Sequence, residues 1–303
     1  MSRYSVFDRR HLELDSLAAR GHQLSWRDCL PLQAPIKPLA QSGLLELSRD
    51  IRTARRRDRP LILMLGGHPT KLGLSRFLMD LIERHLVTHV ASNGAGIIHD
   101  FELALTGGTS EDAAKWIRLG QFGLWRETGR LNDIIRQAAE RGEGLGEAVG
   151  RVIEEECIPH RDLSLTAAGW RSGVPLTCHV GIGSDIIHAL PNCDGAALGQ
   201  ASYTDFLIFA RAMQDLEGGV FLNVRSAVSG PEVYLKALSM ARNVARQDSK
   251  EIRRFTTAVF DLLPLPDNWR DGPPPKEHPL YYYRPWKTIL VRTVADGGRS
   301  FYI

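Results

Sequence analysis

The sequence predicts an α/β protein built on a doubly wound, mostly parallel, Rossmann-like sheet. Three observations lead there. Short, nearly all-apolar runs such as "LILML" at 61–65 suit strands covered on both faces. Each run ends in a polar turn, usually with glycine, and leads into a stretch of helical period. This strand–turn–helix unit recurs along the chain, and right-handed crossovers then align the turns on the carboxyl edge of the sheet.

Residues 1–43 form an irregular lead-in, since the prolines of "LPLQAPIKPLAQSG" deny a long helix. Residues 44–57 read as a helix with Leu45, Leu47 and Ile51 apolar. "LILMLGG" is a strand and turn, and "LSRFLMDLIERH" is a helix with Leu74, Phe77, Leu78, Leu81 and Ile82 on one face. "VTHVASNGAG" repeats the strand and turn, and "IIHDFELAL" opens a helix. Residues 107–156 read as a helical insertion of two or three helices with glycine breaks, suited to a lid or an oligomer contact. "VPLTCHVGIGSD" and "YTDFLIFARAMQDL" form the next pair. "GGVFLNVRSAVSG" and "PEVYLKALSMARNVA" follow, with Pro231 in the helix's first turn. "RRFTTAVFDL" is the last strand of a domain spanning 44–261. Residues 262–303 are a proline-rich loop and a C-terminal strand, with "WKTILVRT" read as an edge strand.

The 303 residues suffice for one large α/β domain or two small ones. A net charge of +3 gives no case for nucleic acid, and "RTARRRDR" reads as a solvated helix end. Cys29, Cys157, Cys178 and Cys193 have no CxxC spacing, which points to a reducing compartment. The sequence carries no membrane-length apolar run, and "MSRYSVFDRRHLELD" lacks the apolar core of a signal peptide. A cytoplasmic protein without a membrane partner is expected.

Four strand-end turns hold the candidate chemistry: Gly66-Gly67-His68, Ser92 to Gly96, Gly181 to Asp185, and Asn223 to Ser226. Glycines there let a ligand approach the backbone, and N–H groups opening the next helix hold phosphate. The full GxGxxG pattern is missing; "GAGIIH" supplies its first two glycines. His68, His99, His179 and His188 fall near the turns, but no HxH or HExxH spacing marks a metal site. No GxSxG elbow serves a hydrolase, Ser226 has no evident base, and Cys178 and Cys193 have no evident partner. Asp100 and Asp185 open helices at the crevice, where a carboxylate either caps N–H groups or grips an ammonium. "YYYRPWKTILVRT" sets Lys287 among aromatics, where a desolvated lysine attacks an imine or, on an edge strand, stands exposed.

These blocks resemble the deoxyhypusine synthase family over about residues 45–300. The region 61–105, "VPLTCHVGIGSDII", "GGVFLNVRSAVSGPEVYLKALSMARN" and "FTTAVFDL" are similar to its blocks in the same order. Gly66-Gly67-His68-Pro69, with Asn93 and His99-Asp100, also resembles the NAD-binding half of archaeal-type ornithine cyclodeaminases. The resemblance implies a deoxyhypusine synthase-like NAD-binding fold, a homotetramer and NAD as cofactor. The chemistry implied is oxidation of a small cationic amine, a polyamine or diamino acid, to an imine, with aminobutyl-type transfer. It places Gly66, Gly67, His68, Ser92, Asn93, Gly94, Asn223, Ser226, Thr257, Ala258 and Asp261 at the cofactor. Asp100, Asp185 and Trp286 fall at the amine, His99 or His188 at the proton, and Lys287 at the imine. The family's triple-glycine turn reads Asn223-Val224-Arg225 here, which makes Arg225 a candidate phosphate ligand. The alternatives are cyclodeaminase-like deamination, a member of the fold that binds nucleotide without catalysis, and a hydrolase or metal enzyme using the histidines.

Overall fold

The computed structural model describes residues 2–35, 37, 39, 41 and 43–303. Of the lead-in, Met1, Ile36, Pro38, Ala40 and Ser42 lie outside the described residues. The lead-in contains single helical turns at Arg9–His11 and Leu17–Ala19, and a short strand β1 (Leu24–Ser25). Then come α1 (Leu44–Arg56), β2 (Leu61–Leu65), α2 (His68–Lys71), α3 (Ser75–Glu83), β3 (His89–Asn93) and α4 (Gly94–Thr106). The middle of the chain is β4 (Gly108–Thr109), α5 (Ala113–Arg118), α6 (Arg130–Arg141), α7 (Leu145–Glu155), α8 (Leu165–Ser172) and β5 (Leu176–His179). It closes with α9 (Gly195–Met213), β6 (Val220–Val224), α10 (Ser229–Gln247), β7 (Thr256–Phe260), α11 (Val291–Ala295) and β8 (Arg299–Tyr302).

Six strands make one parallel sheet in the order β5-β3-β2-β6-β7-β8. Numbered from its own first strand this is 3-2-1-4-5-6, the order of dinucleotide-binding sheets. All five residues of β2 are buried, as its unbroken apolar run requires of a central strand. One core cluster packs α1, α3, α4, α6, α7 and α8 through Leu47, Ile82, Phe101, Leu131, Val149 and Ala168. A second packs α9 and α10 through Phe209, Met213, Tyr234 and Leu238. The protein is thus α/β and doubly wound, as its sequence pattern predicts.

Three details differ from the sequence reading. The lead-in is tied down, because β1 pairs antiparallel with β4. Within 107–156, α6 and α7 are part of the sheet's helical layer, with Leu131, Ile134, Ala148 and Val152 in the core. The segment "WKTILVRT" is helical: a wide turn at Pro285–Leu290 runs into α11. Trp286, Ile289, Leu290 and Thr293 are buried at i, i+3, i+4 and i+7, a helical stripe. The terminal strand is instead β8, parallel to β7, so the sheet extends beyond residue 261 to the end of the chain.

Candidate functional site: a two-chamber cleft at the switch point

The strand order reverses between β2 and β6, where loops diverge and open a crevice. Gly66 follows β2 and donates its N–H to the Val224 carbonyl at 2.9 Å. A Cβ on Gly66 would stand 2.0 Å from the Arg225 carbonyl oxygen, so only glycine lets the two loops meet. Arg225 itself is left-handed at φ 55°, costly for a non-glycine residue. Its N–H donates to the Phe260 carbonyl at 3.0 Å. Behind the loop, buried Asn223 donates to the Ser226 carbonyl at 3.0 Å, and Ser226 Oγ accepts from the Gly230 N–H at 2.9 Å. Among the described residues, the N–H groups of Ala227, Val228 and Ser229 meet no acceptor. They sit where the 19-residue α10 begins, on the positive end of its dipole. A cavity of about 360 Å³ lies against them, walled also by Gly67, His68, Lys71, Asn93 and His99.

The second turn is more helix than loop. Ser92 and Asn93 end β3, and Gly94-Ala95-Gly96 is already the first turn of α4. Asn93 Oδ1 caps it by accepting from the Gly96 N–H at 3.0 Å. Asp185, from the loop after β5, also lies over this helix start. A Cβ on Gly94 would come within 2.1 Å of its Oδ2. Burial raises the Asp185 carboxyl to about 6, opposed by the polar groups beside it, the Ala95 N–H and the Ser184 hydroxyl. His188 braces the same loop: its Nδ1 accepts the N–H groups of Gly183 and Asp185 at 3.1 and 3.2 Å. Nε2 then carries the proton, 4.0 Å from Asp185 Oδ2.

A second chamber of about 250 Å³ joins the first through Lys71, Ala95 and His99, which line both. Its wall includes Asp185, Glu102, Glu111 and Arg20. Glu102 is fully buried and pairs with both terminal nitrogens of Arg20 at 3.0 and 2.7 Å. It also accepts from the Thr109 and Thr128 hydroxyls at 2.8 and 2.7 Å. His99 Nδ1 meets the Thr109 hydroxyl at 2.9 Å. Burial lowers His99 to about 4, with Glu102 opposing, so the imidazole is neutral at physiological pH. Glu111 receives the Trp125 indole N–H, and burial raises its carboxyl.

Of the sequence-predicted site residues, the cleft gathers Gly66, Gly67, His68, Asn93, His99, Asp185 and Ser226. Gly94 lies beneath Asp185, while Ser92 is buried with its Oγ against Gly96. The other assignments need correcting. Asp100 is 1% exposed on the far face of α4. Its oxygens accept from the Ser164 and Thr166 hydroxyls and from the N–H groups of Leu165 and Thr166, capping α8. Asn223 supports the loop from behind. Thr257 and Ala258 are buried in β7, with Thr257 bonded to Ser300 across the β7–β8 pair at 2.8 Å. Asp261 binds Arg225 and Tyr283. Trp286 is a core residue that donates to the Trp269 carbonyl at 2.9 Å. Lys287 lies outside both chambers, its Nζ 4.0 Å from the centre of the Tyr281 ring. His188 is a loop brace.

Sequence reasoning overlooks Arg20, Lys71, Glu102 and Glu111. One signal was available: Glu102 interrupts the apolar "FELAL" three residues after His99, on the same helical face. Arg20 is invisible because its partner lies 82 residues away. Among the described residues, no group of three or more His, Cys, Asp or Glu is placed to hold a metal ion. No helix there is long and apolar enough to cross a membrane.

No protein-family model matches the chain, and no curated protein does either. Among solved structures it is similar to ArgZ, an arginine dihydrolase from the ornithine-ammonia cycle in cyanobacteria. The identity is 14% and the TM-score 0.44, over 74% of this chain and 28% of ArgZ. A putative LOR/SDH protein from Methanococcus maripaludis is 11% identical, with a TM-score of 0.48, over 90% of this chain and 68% of that one. A putative deoxyhypusine synthase from Entamoeba histolytica is 13% identical, with a TM-score of 0.35, over 60% of this chain and 74% of that one. Such values carry no function across, so the functional reading rests on the cleft itself.

Proposed function

We propose that the protein binds a nicotinamide dinucleotide in the first chamber and oxidises a small cationic amine in the second. One observation carries this reading. The strand order reverses at a cleft where an acceptor-free N–H loop opens a long helix, and a carboxylate-lined chamber adjoins it. The residues present fit the cofactor: the N–H groups of Ala227, Val228 and Ser229, with Arg225 and Lys71, supply positive potential for a pyrophosphate. NAD bound there supplies the hydride acceptor for an amine-bearing carbon.

The chain's own groups do the rest. Asp185 and Glu111 attract an ammonium into the second chamber. With its carboxyl at about 6, Asp185 is ionised at neutral pH yet basic enough to take the proton that the amine sheds. Neutral His99, anchored by Thr109, presents its ring at the junction of the chambers and adds no competing charge. The buried Arg20–Glu102 pair holds the N-terminal segment against α4 and closes the wall. Lys287 stands outside the cleft, so the reading stops at oxidation and assigns no group transfer. Purified protein incubated with NAD and spermidine, putrescine, agmatine or ornithine tests it. NADH absorbance appearing with one of these amines supports the reading. NAD binding with no NADH from any of them favours a nucleotide-binding protein without this chemistry.

A further inference from the structure

Two consecutive residues of the proline-rich segment, Tyr283 and Arg284, grip opposite ends of the loop that lines the first chamber. At one end Arg225 bonds Asp261 Oδ1 at 3.2 Å, and the Tyr283 hydroxyl donates to Asp261 Oδ2 at 2.7 Å. At the other end Arg284 bonds Glu232, which lies in the first turn of α10 and whose N–H donates to the Val228 carbonyl at 3.2 Å. The strap is itself anchored. Tyr302 donates to the Leu263 carbonyl, and Trp286 donates to the Trp269 carbonyl at 2.9 Å. Tyr283 is well shielded, and burial together with Asp261 and Tyr302 pushes its phenol far above the usual range, so it stays a donor.

This arrangement accounts for two features of the loop. Arg225 holds a left-handed backbone, which persists only where its surroundings over-determine it. Its side chain is only 32% exposed and has one carboxylate partner; its remaining N–H groups have no partner among the described residues, and Arg225 is part of the cavity wall. Three donors share the Asp261 carboxylate: Tyr283 takes Oδ2, and Arg225 meets Oδ1 alone, which also accepts the Leu262 N–H at 2.8 Å. A carboxylate freed from Tyr283 has both oxygens for Arg225, and a two-point grip would draw the guanidinium toward β7.

We propose that Tyr283 is a positioning residue: acting through Asp261, it sets Arg225 as the anion ligand of the cleft, and the strap thereby tunes affinity for phosphorylated ligands. This rests on the nucleotide reading above. The test is calorimetric titration of the full chain with ADP and with adenosine, which share a base and ribose but differ in phosphate. Tyr283→Phe should weaken ADP by about tenfold, the scale of one hydrogen bond to a charged group, and leave adenosine unchanged. Arg225→Gln should weaken ADP at least as much. The double variant should lose no more than Arg225→Gln alone, because both act through one guanidinium.

Asp261→Asn, which keeps the shape and removes the charge, should weaken ADP selectively as well and serves if Tyr283→Phe does not fold. Equal losses for ADP and adenosine, additive losses in the double variant, or an unchanged ADP affinity in Tyr283→Phe would each overturn the relay while leaving the nucleotide reading intact. Failure of the unaltered protein to bind ADP would overturn both.

Discussion

The Asp185 carboxylate rests on the first turn of α4 at the one place where Gly94 leaves room for it: a Cβ there would stand 2.1 Å from Oδ2. Gly94→Ala should therefore displace Asp185. The expected stability loss is about 1–3 kcal/mol, the usual range for overpacking a tight site. Amine oxidation should fall at least tenfold, while ADP binding in the other chamber persists. Thermal melts, NADH formation and calorimetry read the three outcomes separately.

Asp185 also gives the reaction a pH signature. If its ionised form takes the proton, turnover of an oxidisable amine should drop as pH falls through about 6. Asp185→Asn should abolish that limb. Stability moves the other way. The folded pKa lies above the unfolded value of 3.8, so this group's favourable contribution is fully present below 3.8 and lost as pH rises through about 6. Urea melts of Asp185→Asn should show it gaining on the unaltered protein between those limits. A gap independent of pH would contradict the burial assigned to Asp185.

Asp100, by contrast, should behave as a structural cap. Asp100→Ala leaves two hydroxyls and two N–H groups at the start of α8 without their acceptor in a buried site. A loss on the order of 3 kcal/mol in denaturant melts is expected. If the folded variant loses affinity for the amine with its stability unchanged, the capping role is wrong.

His89 and His179 form a buried polar pair in the sheet, both meeting the Thr177 hydroxyl, at 3.0 and 3.2 Å. Burial lowers His89 from 6.5 to about 3, with His179 adding to the effect, so its imidazole is neutral in the folded protein. The unfolded chain binds the proton first. Its contribution to stability is therefore present above pH 6.5 and lost as pH falls toward about 3. Against His89→Gln, the unaltered protein should lose up to about 1.4 kcal/mol per pH unit below 6.5. Parallel pH curves for the two proteins would show that His89 titrates normally.

The fold was legible because apolar runs, turns and helical periods agree with one another in the sheet units from β2 to β7. The wrong strand at "WKTILVRT" shows the limit: its β-branched residues suit a strand, yet Pro285 and the 286–289–290–293 stripe set a helix against the second core. The cleft was half legible. The turns at Gly66 and Ser226 announced themselves through glycine and polarity. Asp100 and Asp185 look alike in sequence, since each is an acid near a strand end. Helix phase separates them: Asp100 faces α8, whereas His99 and Glu102 face the chamber. Arg20 and Glu102 meet only through tertiary packing, which local patterns do not encode.

The central claim is that a dinucleotide lies against the N–H groups of Ala227 to Ser229. Calorimetric titration with NAD, comparing the unaltered protein with Ser229→Glu, measures this most directly. A carboxylate at the start of α10 favours the helix and so preserves the fold, but it repels a pyrophosphate. The account predicts saturable binding of one NAD per chain, lost or weakened at least tenfold in the variant at unchanged thermal stability. Absence of NAD binding at millimolar concentration, or equal affinity in the two proteins, would contradict it.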